Sequence, residues 1–260
     1  MQDKKKKYRI GVALSGGGAK GFAHLGALKA LEEHGVAIDV ISGNSAGALI
    51  GALYADGYTP EEILSFFDGS DFRDFAEFQL PREGIFSTKG FSSFMSDHLK
   101  ADTFEDLKTP LRIVVTNIEE GRSVTFDKGR LVDVVVASCS MPLVLNPVLI
   151  DGVHYVDGGL FKNFPVSTIR KDCDFVIGIN VSPIVNEPYR PSLLYIAERS
   201  YNYLFRANME KDRQICDLLI EDNAVAKYQV FDLDGKEKLF DIGYHAAKKA
   251  LKNNELLIQE

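Results

Sequence analysis

Ile38-Asp39-Val40-Ile41-Ser42-Gly43-Asn44-Ser45-Ala46-Gly47-Ala48-Leu49-Ile50-Gly51-Ala52-Leu53-Tyr54 is an apolar run, a small polar turn and a second apolar run of helical character. The pattern predicts a buried strand over 38–42 that turns sharply into a helix over 48–54. The turn is a G-x-S-x-G, with Ser45 between Gly43 and Gly47. Glycines on both sides let the chain double back, raise the serine at the sheet edge and aim the following N–H at any oxyanion formed there. Ser45 is therefore the nucleophile candidate. The same residues also suit a plain helix cap, so other parts of the chain have to decide.

Upstream, Arg9-Ile10-Gly11-Val12-Ala13-Leu14 reads as a buried strand and runs into Ser15-Gly16-Gly17-Gly18-Ala19-Lys20-Gly21. Phe22, Leu25, Leu28, Ala30 and Leu31 then recur at helical spacing, and Gly35 supplies a stop. Consecutive glycines at a helix start bare several N–H groups at the positive end of the dipole, a cradle for a phosphate or a transient oxyanion alike. Gly16-x-Gly18-x-x-Gly21 also fits a dinucleotide fingerprint. That reading expects an acidic residue at the carboxyl end of the second strand, about 20 residues on. Asp39 has the distance but opens the strand instead of closing it. A Walker A loop is excluded because Gly21, and not Ser or Thr, follows Lys20.

A base for Ser45 is the next requirement. The five histidines are His24, His34, His98, His154 and His245. Ser45, Asp157 and His245 follow the chain order of an α/β-hydrolase triad, but that fold reaches its elbow only after several strands. Structural roles on helices account for His34, His98 and His245. Asp157 ends the short strand Val153-His154-Tyr155-Val156 and precedes Gly158-Gly159. Asp-Gly is a common turn. Alternatively the turn exposes the carboxylate beside Ser45, where Val156, Leu160 and Phe161 shield it and make it basic enough to take the hydroxyl proton.

Taken in order, Gly16-Gly17-Gly18-Ala19-Lys20-Gly21, Gly43-Asn44-Ser45-Ala46-Gly47, Ala137-Ser138-Cys139-Ser140-Met141-Pro142 and Asp157-Gly158-Gly159 resemble the bacterial members of the patatin-like phospholipase family, over about Tyr8 to Pro183. The resemblance implies a Ser45–Asp157 dyad without histidine and an oxyanion hole from backbone N–H groups around Gly17 and Gly18; the expected mechanism uses the N–H groups of the loop Gly16, Gly17 and Gly18 with that of Ala46. It gives Lys20, Gly21, Gly43, Gly47, Gly158 and Gly159 supporting places in the motifs. It implies lipid or other acyl esters as substrates, with no metal and no cofactor. The family often carries Arg where this chain has Lys20, which keeps the charge but loses the planar fork.

The remaining chain is compatible with these expectations. Its 260 residues, 45% of them hydrophobic, suffice for one large core. Residues 8–260 are expected to form a single domain after a basic lead at 1–7, with the motifs in 8–183 and a helical completion in 184–260. A net charge of -7 argues against a nucleic-acid partner. Cys139, Cys173 and Cys216 read as free thiols of a reducing compartment, with Cys139 a small packing residue. Lys4–Lys7 precede an apolar run too short for a signal sequence, and no stretch reaches the roughly 18 apolar residues of a membrane span. The expectation is a cytoplasmic protein whose lysine run allows peripheral contact with anionic lipid at the inner membrane surface.

Strands are predicted at 111–116, 123–126, 147–149, 175–180 and 217–221, and helices at 132–138, 192–216 and 242–251. This alternation implies a three-layer α/β/α fold around a mostly parallel sheet. Residues 60–99 hold eight of the 17 phenylalanines, Phe66, Phe67, Phe72, Phe75, Phe78, Phe86, Phe91 and Phe94, interrupted by Pro81, Gly84 and Gly90. They read either as a mobile flap lining an acyl pocket or as two Phe-anchored amphipathic helices. The expected function is a serine acyl hydrolase. An acyltransferase with the same dyad, a nucleotide binder using Gly16–Gly21 and an inert scaffold are the alternatives.

Overall fold

A computed structural model describes residues 6–69, 77–78, 86–183, 185–186, 188–189, 191–230 and 233–252. The chain begins with β1 (Tyr8–Leu14), a 3-10 turn over Gly18–Gly21, α1 (Phe22–Glu33), β2 (Val40–Gly43), α2 (Ala46–Ala55) and α3 (Pro60–Ser65). A short ribbon of β3 (Glu77–Phe78) and β4 (Phe86–Ser87) precedes α4 (Lys89–His98), β5 (Leu111–Asn117) and β6 (Arg122–Phe126). Then come α5 (Leu131–Cys139), β7 (Val148–Ile150), β8 (Val153–Asp157), α6 (Gly159–Lys162) and β9 (Cys173–Asn180). The final elements are α7 (Leu193–Ile215), β10 (Leu218–Glu221) and α8 (Lys236–Lys252).

The sheet runs β10-β9-β1-β2-β5-β8-β7, with β6 also on β5. Strands β10, β9, β1, β2 and β5 are parallel; β2 is buried throughout and β1, β5 and β9 over most of their length, as strands covered by helices on both faces must be. The mixed, mostly parallel sheet is the expected fold class. What periodicity did not reveal is that β6, β7 and β8 are antiparallel. Alternation within short strands looks alike whichever way they run.

Pairing along β5 sets up the site. Ile41 N–H donates to Pro110 O and Ile118 N–H donates to His154 O, each 2.9 to 3.1 Å. Both β2 and β8 are thus bonded to the even-numbered residues around β5, hence to the same edge, while β6 holds the other. β2 ends at Gly43 opposite Ile113, and β8, running the other way, ends at Asp157 opposite Val115. Two strand ends meet head to head with one β5 residue, Val114, between them.

Helix α1 packs against α8. A Cβ on Gly26 would lie 1.8 Å from Phe240 O and one on Gly243 1.9 Å from Ala23 O, so both must be glycine for the backbones to come this close. Among the described residues no helix is long and apolar enough to cross a membrane. Of the Phe-rich segment, Phe72, Phe75, Pro81 and Gly84 lie outside the described residues. Gly90 interrupts nothing, since it sits in the first turn of α4.

Candidate active site

At the junction of β2 and β8 the Val114 carbonyl has lost its place in the ladder and would be a buried orphan. Ser138 of α5 occupies the gap: its hydroxyl donates to Val114 O at 2.7 Å and accepts the Ser45 N–H at 2.9 Å. The elbow is therefore bolted to the sheet through the residue that the Ala-Ser-x-x-x-Pro block supplies. Ser45 itself is left-handed, at φ 51° and ψ -123°. A non-glycine residue there carries about 1–3 kcal/mol of strain. The crowding that enforces it is visible at its neighbours: a Cβ on Gly43 would come within 2.3 Å of Gly47 O, and one on Gly47 within 2.3 Å of Leu14 O.

Asp157 is 3% exposed, shielded as a base must be, and the chain passes from it through Gly158 straight into α6 instead of making a hairpin turn. Its Oδ1 accepts the Gly159 N–H at 2.7 Å and the Asn44 side-chain N–H at 3.3 Å, and the Ser45 hydroxyl beside it also favours the ionised form. Burial outweighs these three influences and pushes the carboxyl up to about 6. Gly158 has to be glycine because a Cβ would meet Asn44 Oδ1 at 2.4 Å and Val114 O at 2.6 Å.

The glycine loop needs one correction. The Gly16 N–H is spent on Asn163 O at 2.9 Å, so it is no oxyanion donor. Gly16 is required for space: a Cβ would lie 2.4 Å from Asn163 Oδ1 and 3.2 Å from Ser45 Cβ. The N–H groups of Gly17, Gly18 and Ala46 have no hydrogen-bond acceptor among the described residues. These three residues and Ser45 are half-buried, whereas Gly16, Gly43, Asn44, Gly47 and Gly159 are fully buried. Gly18 takes φ +57° with Val230 O pressed against it, and Ala19 N–H donates to that carbonyl at 2.7 Å. Lys20 N–H closes the turn on Gly17 O, and a Cβ on Gly21 would meet Ala46 Cβ at 2.8 Å.

Above Ser45, Gly18 and Ala46 opens a cavity of about 150 Å³ walled by Phe22, Leu49, Ile50, Phe67, Phe91, Cys139, Met141, Leu145, Val230 and Leu233. Among the described residues of the 60–99 segment, Phe67 and Phe91 are thus wall residues, while Phe66 and Phe94 stack on His98 instead. Cys139 lies against this wall, and burial, with the Asp157 charge behind it, pushes its thiol well above the ordinary range.

The other candidates fall outside the site. His245 is exposed on α8, His34 and His98 bond to carbonyls of their own helices, and His154 pairs with Glu119. His24 is fully buried, donates from Nε2 to Ser15 O at 2.8 Å and is held neutral by burial, with a pKa lowered to about 4. Asp39 folds back on β1 and accepts the N–H groups of Arg9 and Ile10, so no acid stands where a ribose would need one. Residues that motifs did not single out are Asn44, Ser138, Asn163, Val230 and Leu233. The first two sit inside recognised blocks. The others have no local signature, because distant folding brings them in.

A family model of patatin-like phospholipases covers residues 12–169, from β1 to beyond Asp157, and the chain belongs to that family. The uncharacterized protein R571 of Acanthamoeba polyphaga mimivirus is 30% identical over 92% of this chain and 93% of its own. An uncharacterized NTE family protein of Mycobacterium tuberculosis is 28% identical over 76% of this chain, which spans 56% of that relative. The lysophospholipase nte1 of Emericella nidulans is 26% identical over 93% of this chain and 18% of its own. Among solved structures, VipD from Legionella pneumophila shares the fold, with a TM-score of 0.54 at 16% identity over 95% of this chain and 67% of that one.

Proposed function

We propose that the protein is a serine acyl-ester hydrolase acting on phospholipid or lysophospholipid esters, with Ser45 as nucleophile and Asp157 as general base. The observation that carries this reading is the strained Ser45 at the floor of an apolar cavity, beside a buried carboxylate whose proton affinity it influences. With a pKa of about 6, Asp157 is mostly ionised at pH 7 to 8 yet more basic than an ordinary carboxylate. It takes the Ser45 proton as Oγ attacks the ester carbonyl. The N–H groups of Gly17, Gly18 and Ala46 receive the oxyanion, each well-placed donor lowering the barrier by about 3–4 kcal/mol. Asp157 then returns the proton to the departing alcohol, and a water deprotonated by the same carboxylate releases the acid.

The apolar wall suits an acyl chain, and the phospholipase family and its lysophospholipase relative support a phospholipid head group. Residues 184–260 belong to the same catalytic unit in this reading, since Val230 and Leu233 wall the cavity. Intact-mass analysis after fluorophosphonate treatment tests the proposal. One adduct on the wild type, absent from Ser45→Ala and slowed in Asp157→Asn, is expected. An adduct retained by folded Ser45→Ala rejects Ser45 as the nucleophile.

A further inference from the structure

Asn163 follows α6 and is 1% exposed, a costly place for an amide unless its polar atoms are all bonded. Each of them is. Its N–H donates to Asn208 Oδ1 at 3.0 Å and its Nδ2 to the Met209 sulfur at 3.2 Å, both on α7. Its main-chain carbonyl accepts the Gly16 N–H at 2.9 Å, and its Oδ1 accepts from Asn44 Nδ2 at 3.1 Å. The same Asn44 nitrogen donates to Asp157 Oδ1 at 3.3 Å. Asn208 in turn donates to Gly159 O at 2.9 Å, gripping the first turn after Asp157. Asn163 therefore touches one partner of the base, Asn44, with its side chain and, through its backbone, the loop that carries the candidate oxyanion donors.

We propose that Asn163 is a positioning residue for the Ser45–Asp157 dyad: its side-chain carbonyl orients the Asn44 amide so that nitrogen, and not oxygen, faces Asp157. The inference rests on the dyad of the proposed function. An amide nitrogen has two N–H bonds, and here two acceptors, Asn163 Oδ1 and Asp157 Oδ1, take them. The Asn44 oxygen is left against Gly158, where only a glycine leaves room for it, with the Ser138 hydroxyl at a long 3.5 Å. Replace the Asn163 oxygen by a methyl group and the shorter of the two bonds that fix the amide nitrogen is lost, leaving only the 3.3 Å contact to the carboxylate itself. Turned over, it would set an oxygen against the carboxylate and favour the protonated acid.

The groups facing Asp157 bear no charge that would mask such an effect. From α2 there is the Ser45 hydroxyl, from β2's end the Asn44 amide, and from α6 the Gly159 N–H. From β5 the Thr116 hydroxyl donates to Asp157's main-chain oxygen at 2.9 Å. From α5 the Cys139 thiol stays neutral throughout. The Asn44 bond is one of three influences that hold the carboxyl down against burial, so losing it moves the pKa upward from about 6.

The test is the pH profile of fluorophosphonate labelling at Ser45, between pH 5 and 9, for wild type, Asn163→Leu and Asn208→Ala. Asn163→Leu keeps the main-chain bond to Gly16 and removes the side-chain acceptor. Asn208→Ala changes a half-buried position on a helix that favours alanine, so one loosened variant remains folded. Both are expected to move the acid limb to higher pH, by about one unit for Asn163→Leu and less for Asn208→Ala. Labelling of Asn163→Leu at pH 5.5 should then be about tenfold slower than wild type and approach it at pH 9. Folded variants whose limb stays in place, with labelling unchanged or lowered equally at every pH, overturn the proposal. A wild type that labels with no acid limb, or does not label at Ser45, instead overturns the dyad reading on which it rests.

Discussion

Two strand ends face each other across one residue of β5, and they are built by opposite means. On the Ser45 side local backbone geometry does most of the work, with a left-handed φ and two glycines crowded against carbonyls, and one side chain, the Ser138 hydroxyl, holds the amide. On the Asp157 side the chain runs without strain from strand into helix, and the carboxylate is governed by burial, by the Gly159 N–H and by the Asn44 amide, which bonds Asn163 in turn. A nucleophile needs a fixed location, which local geometry can supply. A base needs a tuned proton affinity, which only its surroundings can supply. Truncating the first is therefore the harshest change: Ser45→Ala is expected to lower ester hydrolysis by about 10,000-fold or more while the protein stays folded. Residual turnover within tenfold of wild type, measured with a chromogenic ester, would place the chemistry elsewhere.

Asp157→Asn probes the other side and should affect activity and stability in opposite directions. Turnover is expected to fall about 100- to 10,000-fold, the range for a lost general base. Stability follows from the raised carboxyl pKa. Between the ordinary value of 3.8 and about 6 the folded protein holds a proton that the unfolded chain releases, so stability falls as pH rises through that window. The full loss, on the order of 3 kcal/mol, is reached above the folded-state pKa. Asparagine has no proton to lose and can still accept the Gly159 N–H. Thermal melts should show Asp157→Asn more stable than wild type at pH 7.5, with the gap closing at pH 4. A gap that is constant with pH would mean that Asp157 is not a buried acid with a raised pKa.

The two sides also differ in how far the sequence discloses them. Ser45 is legible because its constraint is local: G-x-S-x-G needs its glycines within two residues, and the apolar runs on either side show the strand and the helix. The central parallel strands are legible for a related reason, being buried on both faces and so continuous in apolar character. Asp157 can be located by its motif but not described. Its burial depends on β8 running against β5, and short alternating strands carry no mark of direction. The Gly16 N–H was assigned to the oxyanion hole for want of Asn163, whose carbonyl arrives from 147 residues away. Val230 and Leu233 reach the cavity by packing of the C-terminal segment, which no spacing encodes.

The cavity wall belongs to neither strand end, which makes it a control on the comparison. Phe91 is buried in the wall, and Phe91→Leu shortens the side chain with little loss of packing. The expected result is a shift of about threefold or more in relative kcat/KM toward longer acyl chains, with the acid limb of the pH profile unmoved. Phe86, half-buried and bonded through its N–H to Val144 O, is outside the wall, and its change to Leu should leave the chain-length profile alone. If both substitutions act alike, the acyl chain lies elsewhere. If Phe91→Leu moves the acid limb, wall and base are one coupled unit.

The smallest expected effect separates strain from chemistry at Ser45. Ser45→Ala removes the hydroxyl but keeps a Cβ at φ 51°, ψ -123°. Ser45→Gly removes the same hydroxyl and the Cβ, in a region where glycine is at ease. Glycine also gains freedom in the unfolded chain, which opposes stability by about 0.5–1 kcal/mol. The relieved strain is about 1–3 kcal/mol, so the glycine variant should exceed the alanine variant by about 1 kcal/mol in a denaturant titration. Both should be equally inactive, because neither has an oxygen to attack with. An alanine variant as stable as the glycine one would show that the surrounding contacts, and not the backbone, absorb the cost of the elbow. The contrast between a strained nucleophile and a relaxed, buried base would then reduce to a difference in burial alone.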